Sequence, residues 1–191
     1  MSKGFRHGFK AEAENYATLF REELGKKPHE PLCPRILAEH LCIPVRELST
    51  HPGLDQDVKD YWRDCEESTF SGLILNDGSY KEIVHNDYHH QRRQNSNIAH
   101  ELAHVILGHP LSAPIKPSGE RAYDKHIEDE AKWLGAALLI PKKAAIYIVL
   151  NSISLADVQQ EYGVSEELLK YRVQVTDAYR AASNIRRIYR R

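Results

Sequence analysis

Most of the chain carries helical periodicity, and one short region carries that of strands. Between residues 10 and 24, Ala13, Tyr16, Ala17, Phe20 and Leu24 recur at helical spacing, and Gly25 follows as a stop. Pro28, Pro31 and Pro34 make a rigid connection. A second helix is expected over 34–41, a short extended piece over Cys42–Val45, and a further helix over 54–66. Ser68–Leu75 and Ser79–Asn86 read as two strands around Asn76-Asp77-Gly78. A short turn containing Gly predicts a hairpin there. Helical spacing then returns over 98–107, 127–140 and 154–182. The expected fold class is α+β: mainly helical, with a small antiparallel sheet or hairpin just before the helix that begins near Ile98.

That helix has two unlike sides. Ile98, Leu102, Val105 and Ile106 gather on one, while His100 and His104 lie on the other. Residues at i and i+4 sit one turn apart, with Cβ atoms about 5–6 Å from each other, so two imidazoles can close on one ion. The small residues Ala99 and Ala103 allow close packing beside them. His100-Glu101-Leu102-Ala103-His104 is thus an H-E-x-x-H motif backed by an aliphatic face. Glu101 falls about 100° further round, beside an ion rather than on it, as a general base for water requires. Gly108 and Pro110 end the segment.

A catalytic zinc site ordinarily has three protein ligands and one open position. A third histidine in H-E-x-x-H-x-x-G-x-x-H is excluded, because Leu107 and Pro110 occupy those places. His109 reads as a surface or C-terminal-turn histidine on the far side of the helix. A carboxylate from the next helix is the other route. Glu128, Asp129 and Glu130 are separated by helical phase. Glu130 shares a face with Ile127, Leu134, Ala137 and Leu138, which makes it a carboxylate inside an apolar stripe. Such a group needs a cation or strong donors. An ion held by His100 and His104 supplies one; a pairing with a buried Lys or Arg, or a place at the rim of the stripe, is the alternative. The expected set is His100, His104 and Glu130 on one Zn2+, with Glu101 as base.

The chain resembles the ImmA/IrrE metallopeptidases. The likeness rests on Asn97 to His109, on Glu130-Ala131 followed by Gly135-Ala-Ala-Leu-Leu-Ile-Pro141, on Gly8 to Glu14 and on Leu37 to Val45. It covers about residues 8–150. The resemblance implies a zincin-like metallopeptidase domain, the same three zinc ligands and base, and action on helix-turn-helix repressors whose cleavage relieves repression. Ala103 stands where many members have Gly, and Leu134, beside Trp133, where an aromatic is common.

The remaining features limit the partners. Net charge is −1 and pI about 6.8, so the chain as a whole has no pull toward nucleic acid or membrane. The apolar region Trp133–Leu150 is broken by Pro141-Lys142-Lys143 and is no membrane span. Cys33, Cys42 and Cys65 read as reduced thiols of a cytoplasmic protein without a signal peptide. Residues 1–150 are expected to form the metallopeptidase domain, with 151–191 a helical extension packed on it. Leu155–Tyr162, Gly163 and Glu166 onward have a helix-turn-helix rhythm, but Glu166 and Glu167 at the start of the reading helix oppose phosphate contact. A packing pair is the better reading, and Arg186, Arg187, Arg190 and Arg191 form a solvated basic tail. His85, His89 and His90 read as surface loop residues, and the spacing does not fix Tyr123 or His126 relative to the cleft. The proline-rich connection 110–120 bridges the two metal-binding helices. A protein substrate is expected. Two other readings are a non-catalytic, zinc-containing partner-binding protein and a DNA-binding regulator using 154–191.

Overall fold

In the first helix, α1 (Phe9–Glu23), the apolar stripe read from the sequence goes inward: Phe9, Ala13, Ala17 and Phe20 are buried. The computed structural model describes residues 5–64, 71–76, 78, 80–110 and 124–189. Cys65, the strand start at 68–70, Asp77, Ser79, residues 111–120, Tyr123, Arg190 and Arg191 lie outside the described residues. After α1 come α2 (Pro34–His40), β1 (Val45–Glu47), α3 (Gln56–Asp64), β2 (Gly72–Asn76), β3 (Lys81–His85) and α4 (Gln91–Ile106). Then follow α5 (Lys125–Leu139), α6 (Lys142–Leu150), α7 (Leu155–Tyr162), α8 (Glu166–Val175) and α9 (Ala178–Tyr189). Pro34 opens α2, where its missing N–H costs nothing. Helix α4 begins well before Ile98. Its first turns are polar, so hydrophobic spacing could not reveal them, and the His90 ring caps them by accepting from Arg92 N.

The hairpin is present, with Gly72 opposite His85 and Asn76 opposite Lys81. The sheet is nonetheless mixed rather than antiparallel. β1 adds to β3 in parallel, Val45 opposite Ile83, giving the order β1-β3-β2. A three-residue strand paired across nearly forty residues leaves no local signature. Alternation along β3 places Ile83 and His85 on one face. β3 is the central strand and Ile83, Val84 and His85 are all buried, so His85 is not a surface residue; its Nε2 lies 2.8 Å from Arg35 Nη2.

Two clusters of apolar side chains meet at α4 and α5. One joins Phe9, Ala13, Leu37, Ile83, Ile98, Leu102, Leu134 and Leu138. The other joins Ala99, Leu139, Ile140, Ala144, Ile148, Val158, Leu169 and Val173. This second core takes residues from both sides of position 150. Helix α8 buries Leu169, Arg172 and Val173, so this pair packs into the body, and Glu166 and Glu167 occupy the first turn of α8.

Two buried arginines fix the end of α5. Arg21 donates to Leu138 O, Ala17 O and Glu30 O, and Arg172 donates to Ile140 O and pairs with Glu14. The last carbonyls of a helix have no partner within it, and these guanidinium groups satisfy them. Burial pulls the Arg21 pKa down to about 10, still far above neutrality. Helix α5 is thereby held against α1 and α8, which fixes what its first turns present to α4. Among the described residues no helix is long and apolar enough to cross a membrane.

Candidate metal and catalytic site

The aliphatic face of α4 is buried through Ile98 and Leu102, which turns His100 and His104 toward α5. Their Nε2 atoms converge to 3.1 Å. The carboxylate that joins them is Glu128: its Oε2 lies 3.3 Å from His100 Nε2, and its Oε1 3.6 Å from His104 Nε2. Ligand atoms of His100, His104 and Glu128 all lie within 4.8 Å of one another.

The expectation for Glu130 is therefore corrected. Its oxygens lie 3.3 Å from Arg6 Nε and 3.5 Å from His109 Nε2, away from the cluster. Helical phase singles out Glu130 only if the aliphatic stripe of α5 is the face turned to α4. From Trp133 to Leu139, however, α5 is buried all round. The contact face is marked instead by Gly135, where a Cβ would stand 3.1 Å from Ala99 O and from His100 Cα and N. Glu128 precedes Gly135 by almost two full turns and shares its face, whereas Glu130 is rotated from Glu128 by about 200°. The small-residue seam was the signal that could have found Glu128.

His109 is the second correction. Phase along the helix places it on the far side, but α4 ends at Ile106 and phase does not extend beyond it. Gly108 adopts φ 64, the left-handed conformation that glycine tolerates best. The turn it makes sends His109 N–H back to His104 O at 3.0 Å, and the His109 ring onto the His104 ring, Nδ1 to Nδ1 3.1 Å. His89 and His90 do not join the cluster: the His89 ring lies 3.4 Å from Asn97 Nδ2, and His90 caps α4. His126 is exposed in the first turn of α5.

Glu101 leaves α4 on the side of β2, close enough that a Cβ on Gly72 would meet its Cγ at 3.4 Å. Burial pushes its carboxyl up to about 7, and the neighbouring charge of Glu128 adds to the shift. Burial acts oppositely on the imidazoles. It lowers His100 to about 4, aided by Lys132 and His109, and His104 to about 4, aided by His100. Both rings are thus neutral near pH 7, the form that ligates a metal.

These shifts predict a pH-dependent stability difference in metal-free protein. The histidine contribution is complete above about 6.5 and is lost as pH falls toward 4. The Glu101 contribution runs the other way: present below 4.5, lost as pH rises through about 7. Glu101→Gln removes only the second. In the presence of chelator it is expected to exceed wild type by about 1–3 kcal/mol at pH 8 and by little at pH 4.5. Urea unfolding at both pH values measures this; an equal difference at the two would contradict the desolvation of Glu101.

The donor set suits zinc. Ligand arms of about 2.0–2.1 Å in tetrahedral array put neighbouring ligand atoms roughly 3.4 Å apart. The two Nε2 atoms are 3.1 Å apart, and each has one Glu128 oxygen near that distance, Oε2 at 3.3 Å from His100 and Oε1 at 3.6 Å from His104. A family model described as Peptidase_M78: IrrE N-terminal-like domain matches residues 38–174. None of the curated proteins matches the chain.

Proposed function

The chain belongs to the Peptidase_M78 (IrrE N-terminal-like) family, and from that premise we propose that it is a zinc-dependent endopeptidase acting on a protein, specifically a helix-turn-helix transcriptional repressor. The family points to a metallopeptidase. The observation that carries the zinc reading is the convergence of His100 Nε2, His104 Nε2 and the Glu128 carboxylate, whose ligand atoms all lie within 4.8 Å of one another. These three residues would hold the ion. When bound, zinc supplies Lewis acidity, polarising a carbonyl and acidifying water.

The chain's own residues do the rest. Glu101 accepts the proton of the attacking water at its carboxylate and delivers it to the leaving amine. Burial, which raises this carboxyl to about 7 in the metal-free protein, makes it a stronger base than an exposed glutamate. The two imidazoles remain neutral and ligating as that proton moves. β2 lies at the end of the sheet order, and its first residue, Gly72, adjoins Glu101. An extended substrate segment pairing with this edge would run its backbone past the base. The repressor substrate rests on the family resemblance, and the free thiols Cys33 and Cys42 fit the reducing cytoplasm where repressors act.

The test is metal removal. Protein purified with one equivalent of zinc is expected to cleave a helix-turn-helix repressor encoded beside it. Cleavage should stop on chelation and return when zinc is restored. Stoichiometric zinc without cleavage of that repressor would instead mark a non-catalytic partner-binding protein.

A further inference from the structure

We propose that His109 and Glu130 are positioning residues for the metal ligand His104, fixing its tautomer and the plane of its ring. This inference rests on the zinc reading above and concerns side chains outside the ligand set. His104 turns Nε2 toward His100 and Glu128, and Nδ1 toward His109 Nδ1 at 3.1 Å. A neutral imidazole that gives Nε2 to an ion carries its proton on Nδ1. In that contact His104 Nδ1–H therefore donates and His109 Nδ1 accepts. The proton of His109 is then on Nε2, which faces Glu130 Oε2 at 3.5 Å. The order is Glu130, His109, His104, then the ion.

Each link is held from outside the ligand cluster. The His109 backbone is tied to His104 O through the turn at Gly108, so the two rings belong to one rigid helix end. The His109 side chain is 8 % exposed and that of Glu130 14 %, which keeps water from competing for their contact. Arg6 approaches the other Glu130 oxygen at 3.3 Å and is itself anchored on Glu12 at 2.6 and 2.9 Å. Arg6 thus holds Glu130 away from the ligand triangle. The group that accepts from a ligating imidazole orients the ring and raises its basicity, and removing such an outer partner typically costs about 10–100-fold in metal affinity; here that group is His109, and Glu130 orients it in turn.

The experiment is zinc affinity by chelator competition, with nitrogen-resolved NMR of the His104 ring in the zinc-loaded protein. His109→Phe and Glu130→Ala are each expected to weaken zinc by about 10–100-fold. The double variant should be no weaker than the weaker single. His109→Gln should recover much of the loss, because its amide accepts from His104 and donates to Glu130. The His104 Nδ1–H resonance should move upfield in His109→Phe and much less in His109→Gln. Glu130→Ala carries the same affinity test should His109→Phe fail to fold. Wild-type affinity in both single variants, with an unmoved His104 resonance, would overturn the proposal. So would a loss in Glu130→Ala as large as that in Glu128→Ala, since Glu130 would then be a ligand. Failure of wild type to bind zinc at all would instead overturn the underlying metallopeptidase reading.

Discussion

Glu101→Gln is expected to retain zinc at wild-type stoichiometry while cleaving its substrate on the order of 10³–10⁴-fold more slowly. The substitution preserves shape and removes only the capacity to accept a proton. Glu101 lies outside the ligand triangle, beside Gly72, so the ion loses no ligand. Its loss falls on both proton transfers: activation of water and protonation of the leaving amine. A factor of 10³ corresponds to about 4 kcal/mol of transition-state stabilisation. Single-turnover cleavage with zinc measured on the same sample separates the two roles. Undiminished cleavage would sink the mechanism, and lost zinc would make Glu101 a ligand. The same variant is expected to be more stable than wild type at pH 8 when metal-free, so its lost activity is not a folding defect.

The second large effect concerns the carboxylates of α5. Glu128→Ala is expected to lower zinc affinity on the order of 10³-fold, because one of three ligands contributing to a total of roughly 10–16 kcal/mol is removed. Asp129→Ala should leave affinity near wild type, since Asp129 pairs with Lys125 at 2.8 Å on the surface. Glu130→Ala should fall between them. Metal analysis and chelator competition on the three variants give the ranking. The reverse order for Glu128 and Glu130 would restore the ligand set that the sequence suggests.

That ranking shows where reading the sequence succeeds and where it stops. His100, Glu101 and His104 are legible because i to i+4 geometry within one helix is fixed by the backbone itself. The hairpin before them is legible for a like reason: its strands are adjacent and joined by a short turn with Gly78. Glu130 misleads because periodicity reports which residues are apolar, not which neighbour each face meets. On a helix buried all round, that information resides in the fit of α5 to α4, and here in the absence of a side chain at Gly135. His109 misleads because phase was carried past Gly108, where the chain reverses. Glu130 does pair with an arginine, but Arg6 is half exposed rather than the buried Lys or Arg of the alternative reading, and it lies far away in the sequence.

By itself the sequence determined the chemistry of one helix: two imidazoles on one face, a carboxylate beside them and an aliphatic back that turns them inward. Local covalent geometry suffices for that, since every distance involved is set within about one turn. Only the tertiary structure decided which carboxylate completes the set, which histidine backs His104 and that β1 joins β3 in parallel. Those relations join residues far apart in the chain or beyond the end of a helix, and close packing between elements sets them rather than any period along the sequence.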